Sequence, residues 1–185
     1  MADLRDRQEI AARSLEITVL TAMRTGEVLG AQWSEFDLVA KVWTMPADRM
    51  KAGRPHRVPL AARCLEILKS LPREDEDKYV FPGDRAGQPL SNMAMLALLK
   101  RMGRGDVTVH GFRSTFRDWA AETTAYPNHV VEMALAHAIG DKVEATYRRG
   151  DLFEKRRRLM DEWARYCGHG ATSVRGGKNI VALQG

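Results

Sequence analysis

Between residues 36 and 60 the chain changes texture once, and that change does most to restrict its fold. Before it, residues 9–23 (EIAARSLEITVLTAM) set apolar and polar side chains at helical spacing, with good helix formers and no Gly or Pro. A break at Thr25–Gly26 leads into a second short helical stretch, EVLGAQW. Then Phe36–Leu38, Val42–Met45 and His56–Leu60 form short β-forming runs separated by polar or Gly/Pro-containing turns, which predicts a small antiparallel sheet. Helical patterning returns at Ala61–Leu71, with Leu65, Leu68 and Leu71 along one stripe, and Pro72 and the acidic run REDEDK end it. Ser91 is placed to cap a helix running toward Met102, and Gly103 and Gly105 break that helix. His110–Thr123 reads as a helix, and Pro127 opens another over NHVVEMALAHA that Gly140 ends. Asp141 is placed to cap a short helix, and Asp151–Tyr166 forms a last amphipathic helix rich in Arg. The expectation is a mainly α (α+β) chain: one helical domain over 1–166 with a small sheet near its N-terminal third. Residues 167–185 read as a flexible tail, in which NIVAL could add an edge strand.

Composition narrows the class. At 185 residues one domain can bury a sizeable core, and 44% hydrophobic with 29% charged residues excludes a disordered polymer. The sequence has no apolar run of the roughly eighteen residues a membrane span needs, and its first residues, MADLRDRQEI, are charged where a secretory signal is apolar. Cys64 and Cys167 have no metal-ligand spacing and suit reduced cytosolic thiols. A net charge of +5 permits a polyanionic partner without requiring one.

Six scattered polar residues stand out: Arg24, Lys51, His110, Arg113, His137 and Tyr147. Taken singly, each has an ordinary explanation. Arg24 ends an apolar helix, where a cation suits the macrodipole; Lys51 lies in a polar turn. His137 fits a capping histidine, and Tyr147 a boundary tyrosine with its hydroxyl wet. His110 and Arg113, three apart on one helix, can converge on one small anion, and Arg117 extends that face. The same spacing also makes a solvent-facing basic stripe.

Order and texture together are more specific. TAMRTGEVLGAQWSEFD, MKAGRPHRVPL, VHGFRSTFRDWAAE, VEMALAH and ATYRRGD strongly resemble the tyrosine recombinase (phage integrase) family, in particular integrases of the satellite-prophage and genomic-island type. The resemblance runs from about residue 10 to 166. It implies the DNA breaking–rejoining catalytic-core fold, with Arg24 as the first catalytic arginine and Glu27 as its accompanying acid. It also implies Lys51 as the hairpin lysine, His110 and Arg113 as the H-x-x-R pair, His137 as the second histidine and Tyr147 as the nucleophile. AMR stands where G-x-R is more frequent. Family members carry a helical core-binding domain, and often an arm-binding domain, ahead of this region, so the sequence is expected to supply the catalytic domain alone.

The implied reaction is attack of the tyrosine hydroxyl on a DNA phosphodiester through a 3′-phosphotyrosyl intermediate. Arginine forks stabilise the charge, so no metal, ATP or other cofactor is implied, and the sequence has no G-x-x-x-x-G-K-[ST] loop. The implied partners are double-stranded DNA and other protomers in a tetrameric synapse, in a bacterial or prophage-encoded cytoplasmic setting. Arg54, Arg57, Arg117, Arg148 and Arg149 are candidate phosphate contacts. The run Lys155–Arg158 reads equally as a solvated helix face or a DNA contact. Rival readings are a type IB topoisomerase, a non-catalytic DNA-binding regulator and a decayed integrase remnant.

Overall fold

The structure, a computed structural model, describes residues 1–50, 52–73, 78–137 and 150–168. The chain is built around helix α2 (Ile10–Thr21), which follows a one-turn α1 (Ala2–Arg5) and is buried on nearly every side. Its polar residues tolerate burial because each finds a partner. Thr18 and Thr21 hydroxyls donate back to the Ser14 and Ile17 carbonyls at 2.8 and 2.7 Å. Glu16, fully buried, accepts from Arg5 at 3.2 Å and from Arg63 at 2.8 and 3.1 Å, with Arg13 at 3.4 Å. Helix α2 ends at Ala22, left-handed at φ 52°, and the short α3 (Thr25–Leu29) starts from Arg24.

A single turn of 3₁₀ helix (Trp33–Glu35) leads into β1 (Phe36–Asp37), β2 (Val42–Met45) and, after a second 3₁₀ turn (Ala47–Arg49), β3 (His56–Pro59). The sheet is antiparallel in the order β1-β2-β3, with Phe36 opposite Trp43 and Trp43 opposite Val58. Alternation puts Trp43, Met45 and Val58 into the core and leaves Thr44 and Arg57 outside. Phe36 stacks on Trp43 at 5.1 Å.

Helices α4 (Ala62–Ser70) and α5 (Ala94–Arg101) pack against α2. Ser91, expected as the α5 cap, lies three residues before the helix and accepts the Met93 N–H at 3.3 Å. Helix α6 (Gly111–Thr123) buries Arg113, Phe116, Trp119 and Ala120. Helix α7 (Asn128–Ala134) is shorter than its sequence pattern. Ala136 turns left-handed at φ 51°, its N–H bonds the Met133 carbonyl, and the His137 N–H bonds the Glu132 carbonyl. That pair closes the helix three residues before His137 with a Schellman turn, well short of Gly140.

The final helix, α8 (Phe153–Gly168), packs on α2, α7 and β3. It runs two residues past Tyr166, so Cys167, read as the start of the tail, is a buried helical residue. The basic run within α8 is not a uniformly solvated face: Lys155 and Arg158 are exposed, and Arg156 is buried. Arg156 is 1% exposed and donates to the Asp151 carbonyl (2.7 Å), the Asp151 carboxylate (2.9 Å) and the Arg57 carbonyl (2.6 Å), joining α8 to β3. Arg157 reaches the Ala40 and Lys41 carbonyls. The helix expected near Asp141 and the NIVAL segment lie outside the described residues. No described helix is long and apolar enough to cross a membrane.

Candidate functional site

The site forms where α2, α3, α6 and α7 meet. Arg113 occupies its centre, 5% exposed, on the inward face of α6. One arm of its guanidinium donates to the Ala22 carbonyl at the end of α2. The other donates to the Leu135 carbonyl at the end of α7 at 2.8 Å and stands 3.1 Å from His137 Nε2. Both carbonyls belong to helix C-termini, where the macrodipole favours a cation. The two carbonyls occupy two of five guanidinium N–H donors.

Arg24, whose backbone caps the start of α3, is the second guanidinium. Its Nη1 donates to Glu27 Oε1 at 2.7 Å, and its backbone N–H donates to Glu27 Oε2 at 2.8 Å. The carboxylate that sequence reading paired with Arg24 therefore fixes both ends of the residue. Arg24's side chain remains 35% exposed, and among the described residues Glu27 alone bonds its guanidinium. Burial, and next the positive charge of Arg24, push Arg113 down to about 10, while Glu27 and Glu132 act in the opposite direction. Arg113 thus stays charged at neutral pH, beside a like charge.

His137 is oriented from both sides. Its Nδ1 lies 2.7 Å from Glu132 Oε2, and its Nε2 faces Arg113. A donated Nδ1–H leaves Nε2 as the nitrogen turned to the centre of the site. Glu132, five residues past Pro127 on α7, was not singled out in the sequence. An acid five residues before a histidine has no helical register to mark it, because the partner sits beyond the helix end. His110 stands at the start of α6, exposed, with its carbonyl accepting the Arg113 N–H at 3.0 Å. The two residues share a helix turn, but the imidazole stays at the surface while the guanidinium turns inward.

His56 on β3 is half-buried, and its enclosed Nε2 has no hydrogen-bond partner among the described residues. Burial first, then Arg156, lower its pKa to about 4, against a backbone hydrogen bond with Ala134 and the charge of Asp151.

The candidate phosphate contacts divide. Arg54 is exposed in the turn before β3. Arg57 instead lies 3.4 Å from Asp151 and over the Phe153 ring at 4.0 Å. Arg117, expected to extend the anion-binding face, has Nε 3.0 Å from Glu132 Oε1, a charge contact without hydrogen-bond alignment. Lys51, Tyr147, Arg148 and Arg149 lie outside the described residues. The other tyrosines are engaged elsewhere. Tyr126 donates its hydroxyl to Glu162 at 2.8 Å and is pushed up to about 12 by burial and that acid. Tyr166 stacks on Trp163, and the backbone of Tyr79 pairs with that of Gln32.

The pattern of the phage integrase family matches residues 2–152. Prophage integrase IntA of Escherichia coli (strain K12) is 39% identical over 149 residues, covering 79% of this chain and 36% of the relative. Prophage integrase IntZ of the same strain is 34% identical over 153 residues, covering 82% and 38%. The chain therefore spans little more than a third of the length of these relatives. Among solved structures, the integrase from mycobacterium phage Brujita superposes with a TM-score of 0.65 over 85% of this chain and 52% of that one. At 18% identity this likeness establishes a shared fold. From the family match, the relatives and the fold together, the chain belongs to the phage integrase family.

Proposed function

We propose that this chain is the strand-cleaving and rejoining domain of a site-specific DNA recombinase, acting by tyrosine transesterification. The observation that carries the reading is the convergence of two guanidinium groups at the end of α2: Arg113 donates to the Ala22 carbonyl two residues before Arg24, and the charge of Arg24 adds to burial in lowering Arg113. A phosphodiester between them relieves that repulsion, and its nonbridging oxygens gain most as charge gathers on them in the transition state. Arg113 keeps donors beyond its two carbonyl partners, and Arg24 keeps donors beyond Glu27. His137, held by Glu132, supplies a third polar group beside Arg113.

In the proposed reaction Tyr147 Oη attacks phosphorus, the Tyr147 O–P bond forms, and the bond from phosphorus to the 5′-oxygen breaks. A phenol with an ordinary pKa of about 10 needs help to lose its proton at neutral pH, and His110, exposed at the head of α6, is the base. Lys51 gives a proton to the departing 5′-oxygen. Tyr126 makes a poor nucleophile, because it is tied to an acid that disfavours its phenolate. Rejoining is the same exchange reversed by the 5′-hydroxyl of another strand, so complete recombination needs several protomers on two duplexes. Four protomers, each cleaving one strand, satisfy that requirement.

The test is a duplex nicked near the cleavage site, so that the short 5′-hydroxyl fragment diffuses away and strands the intermediate. The wild-type chain should give a DNA-linked band on a denaturing gel. Tyr147→Phe should bind the same duplex and give none. A wild-type chain that binds without ever becoming linked would make it a DNA-binding regulator instead.

A further inference from the structure

Arg49 ends the 3₁₀ turn Ala47–Arg49, two residues before Lys51. Its side chain is only 20% exposed. Nη1 donates to the Glu35 carboxylate, and Nη2 donates to the backbone carbonyl of Glu27 at 2.5 Å. Glu35 is itself buried and accepts the Trp43 indole N–H at 2.7 Å through its other oxygen. Gly30 leaves room for the fork: a Cβ there would stand 3.0 Å from Arg49 Nη2 and 3.2 Å from the Gly26 carbonyl. One guanidinium therefore joins the sheet core, the helix that presents Arg24, and the segment entering Lys51. Beyond it Met50 is buried, and the Gly53 N–H bonds the Met50 carbonyl at 2.9 Å, with Gly53 left-handed at φ 60°. Met50 and Gly53, described residues on either side of position 51, are thus both held.

We propose that Arg49 is a positioning residue for protonation of the leaving 5′-oxygen: its fork to Glu35 and the Glu27 carbonyl sets where the Lys51 segment stands relative to Arg24. The proposal rests on the reading of Lys51 as the proton donor. In the step concerned, the Tyr147 O–P bond forms, the P–O5′ bond breaks, and a Lys51 Nζ proton goes to O5′. Arg49 gives up no proton and touches no reacting atom. A fork is needed because the two acceptors lie on different elements, and a lysine ammonium offers no pair of fixed, divergent donors.

The experiment compares single-turnover cleavage of two nicked duplexes, one with the natural phosphodiester and one with sulfur as the 5′-bridging atom. A thiolate leaves without a proton, so the sulfur substrate removes the need for an acid. Lys51→Ala and Arg49→Met should each fall about 10²-fold on the oxygen substrate, the scale of lost acid catalysis or of misplacement. Both should return to within a few-fold of wild type on the sulfur substrate. Arg49→Lys should fall between wild type and Arg49→Met on oxygen. The paired variant Glu35→Gln/Arg49→Met, which leaves no buried carboxylate unpartnered by a cation, should repeat the Arg49→Met pattern and carries the test if the single variant folds poorly. Equal loss of Arg49→Met on both substrates, beside rescue of Lys51→Ala, would overturn the proposal and leave the Lys51 reading intact. Wild-type rates for Arg49→Met on oxygen would overturn it as well. Failure of sulfur to rescue Lys51→Ala would remove the Lys51 reading itself, and the proposal with it.

Discussion

The guanidinium of Arg113 reaches the ends of two helices at once, closing the Ala22 and Leu135 carbonyls while facing His137. Its burial makes the residue structural as well as a candidate phosphate ligand. Arg113→Ala should therefore lose folding stability, by about 3 kcal/mol for two buried carbonyls left without a charged donor, together with cleavage. Arg113→Lys separates the two roles. It keeps the cation at the helix ends, and it should stay folded in thermal unfolding yet lose about 10²-fold or more in adduct formation, because the fork is gone. Equal activity of the lysine variant and wild type would mean that Arg113 serves the fold only.

His56 gives a residue-scale expectation with a sign. Its folded pKa, about 4, lies below the ordinary histidine value of 6.5, so the unfolded chain binds more protons between those pH values. The neutral imidazole's contribution is whole above about pH 6.5 and is lost as pH falls toward 4, by roughly 3 kcal/mol over the window. Urea titrations should show that loss in wild type, and His56→Gln should flatten it between pH 7 and 4. An unchanged slope in the variant would assign the acid sensitivity to other groups.

At the scale of elements, α2 shows what local pattern can and cannot say. Its span was legible from helical spacing without Gly or Pro, and so were the three strands, to within a residue or two at the ends. The burial of Glu16 was not, because the partners that permit it are Arg5 on α1 and Arg63 on α4, 47 residues downstream. Burial penalises Arg63 less than its bonds to Glu16 and Glu66 favour its charge, and its pKa is raised. Glu16→Gln keeps the shape and removes the charge from three arginines, and it should lower unfolding stability by about 3 kcal/mol. A change below about 0.5 kcal/mol would class the cluster with exposed ion pairs. The early end of α7 was illegible for a related reason. Apolar spacing continues through Leu135, but Arg113 takes the Leu135 carbonyl and Ala136 adopts a left-handed turn that alanine does not advertise.

Across the whole molecule, the candidate site draws Arg24, Glu27, Arg113 and His137 from three stretches of sequence into one hydrogen-bonded region. Those residue types at their motif positions were visible in the chain. The residues that hold them were not: Glu132 acts on the His137 imidazole and Arg49 on the Glu27 carbonyl, and such bonds leave no local signature. The same distinction sorts the basic surface. Arg54, exposed, should lower the salt slope of DNA binding by about one when changed to Ala, as expected for one lost phosphate contact. Arg57, held by Asp151 and Phe153, should leave that slope nearly unchanged. Binding isotherms across a salt series distinguish the two.

The most direct measurement is a structure of the chain trapped on nicked DNA. It should show phosphorus bonded to Tyr147 Oη, with nonbridging oxygens about 2.7–3.0 Å from donors of both Arg24 and Arg113. A phosphate carried by another tyrosine, or one bonded to Tyr147 and out of reach of both guanidinium groups, would contradict the account.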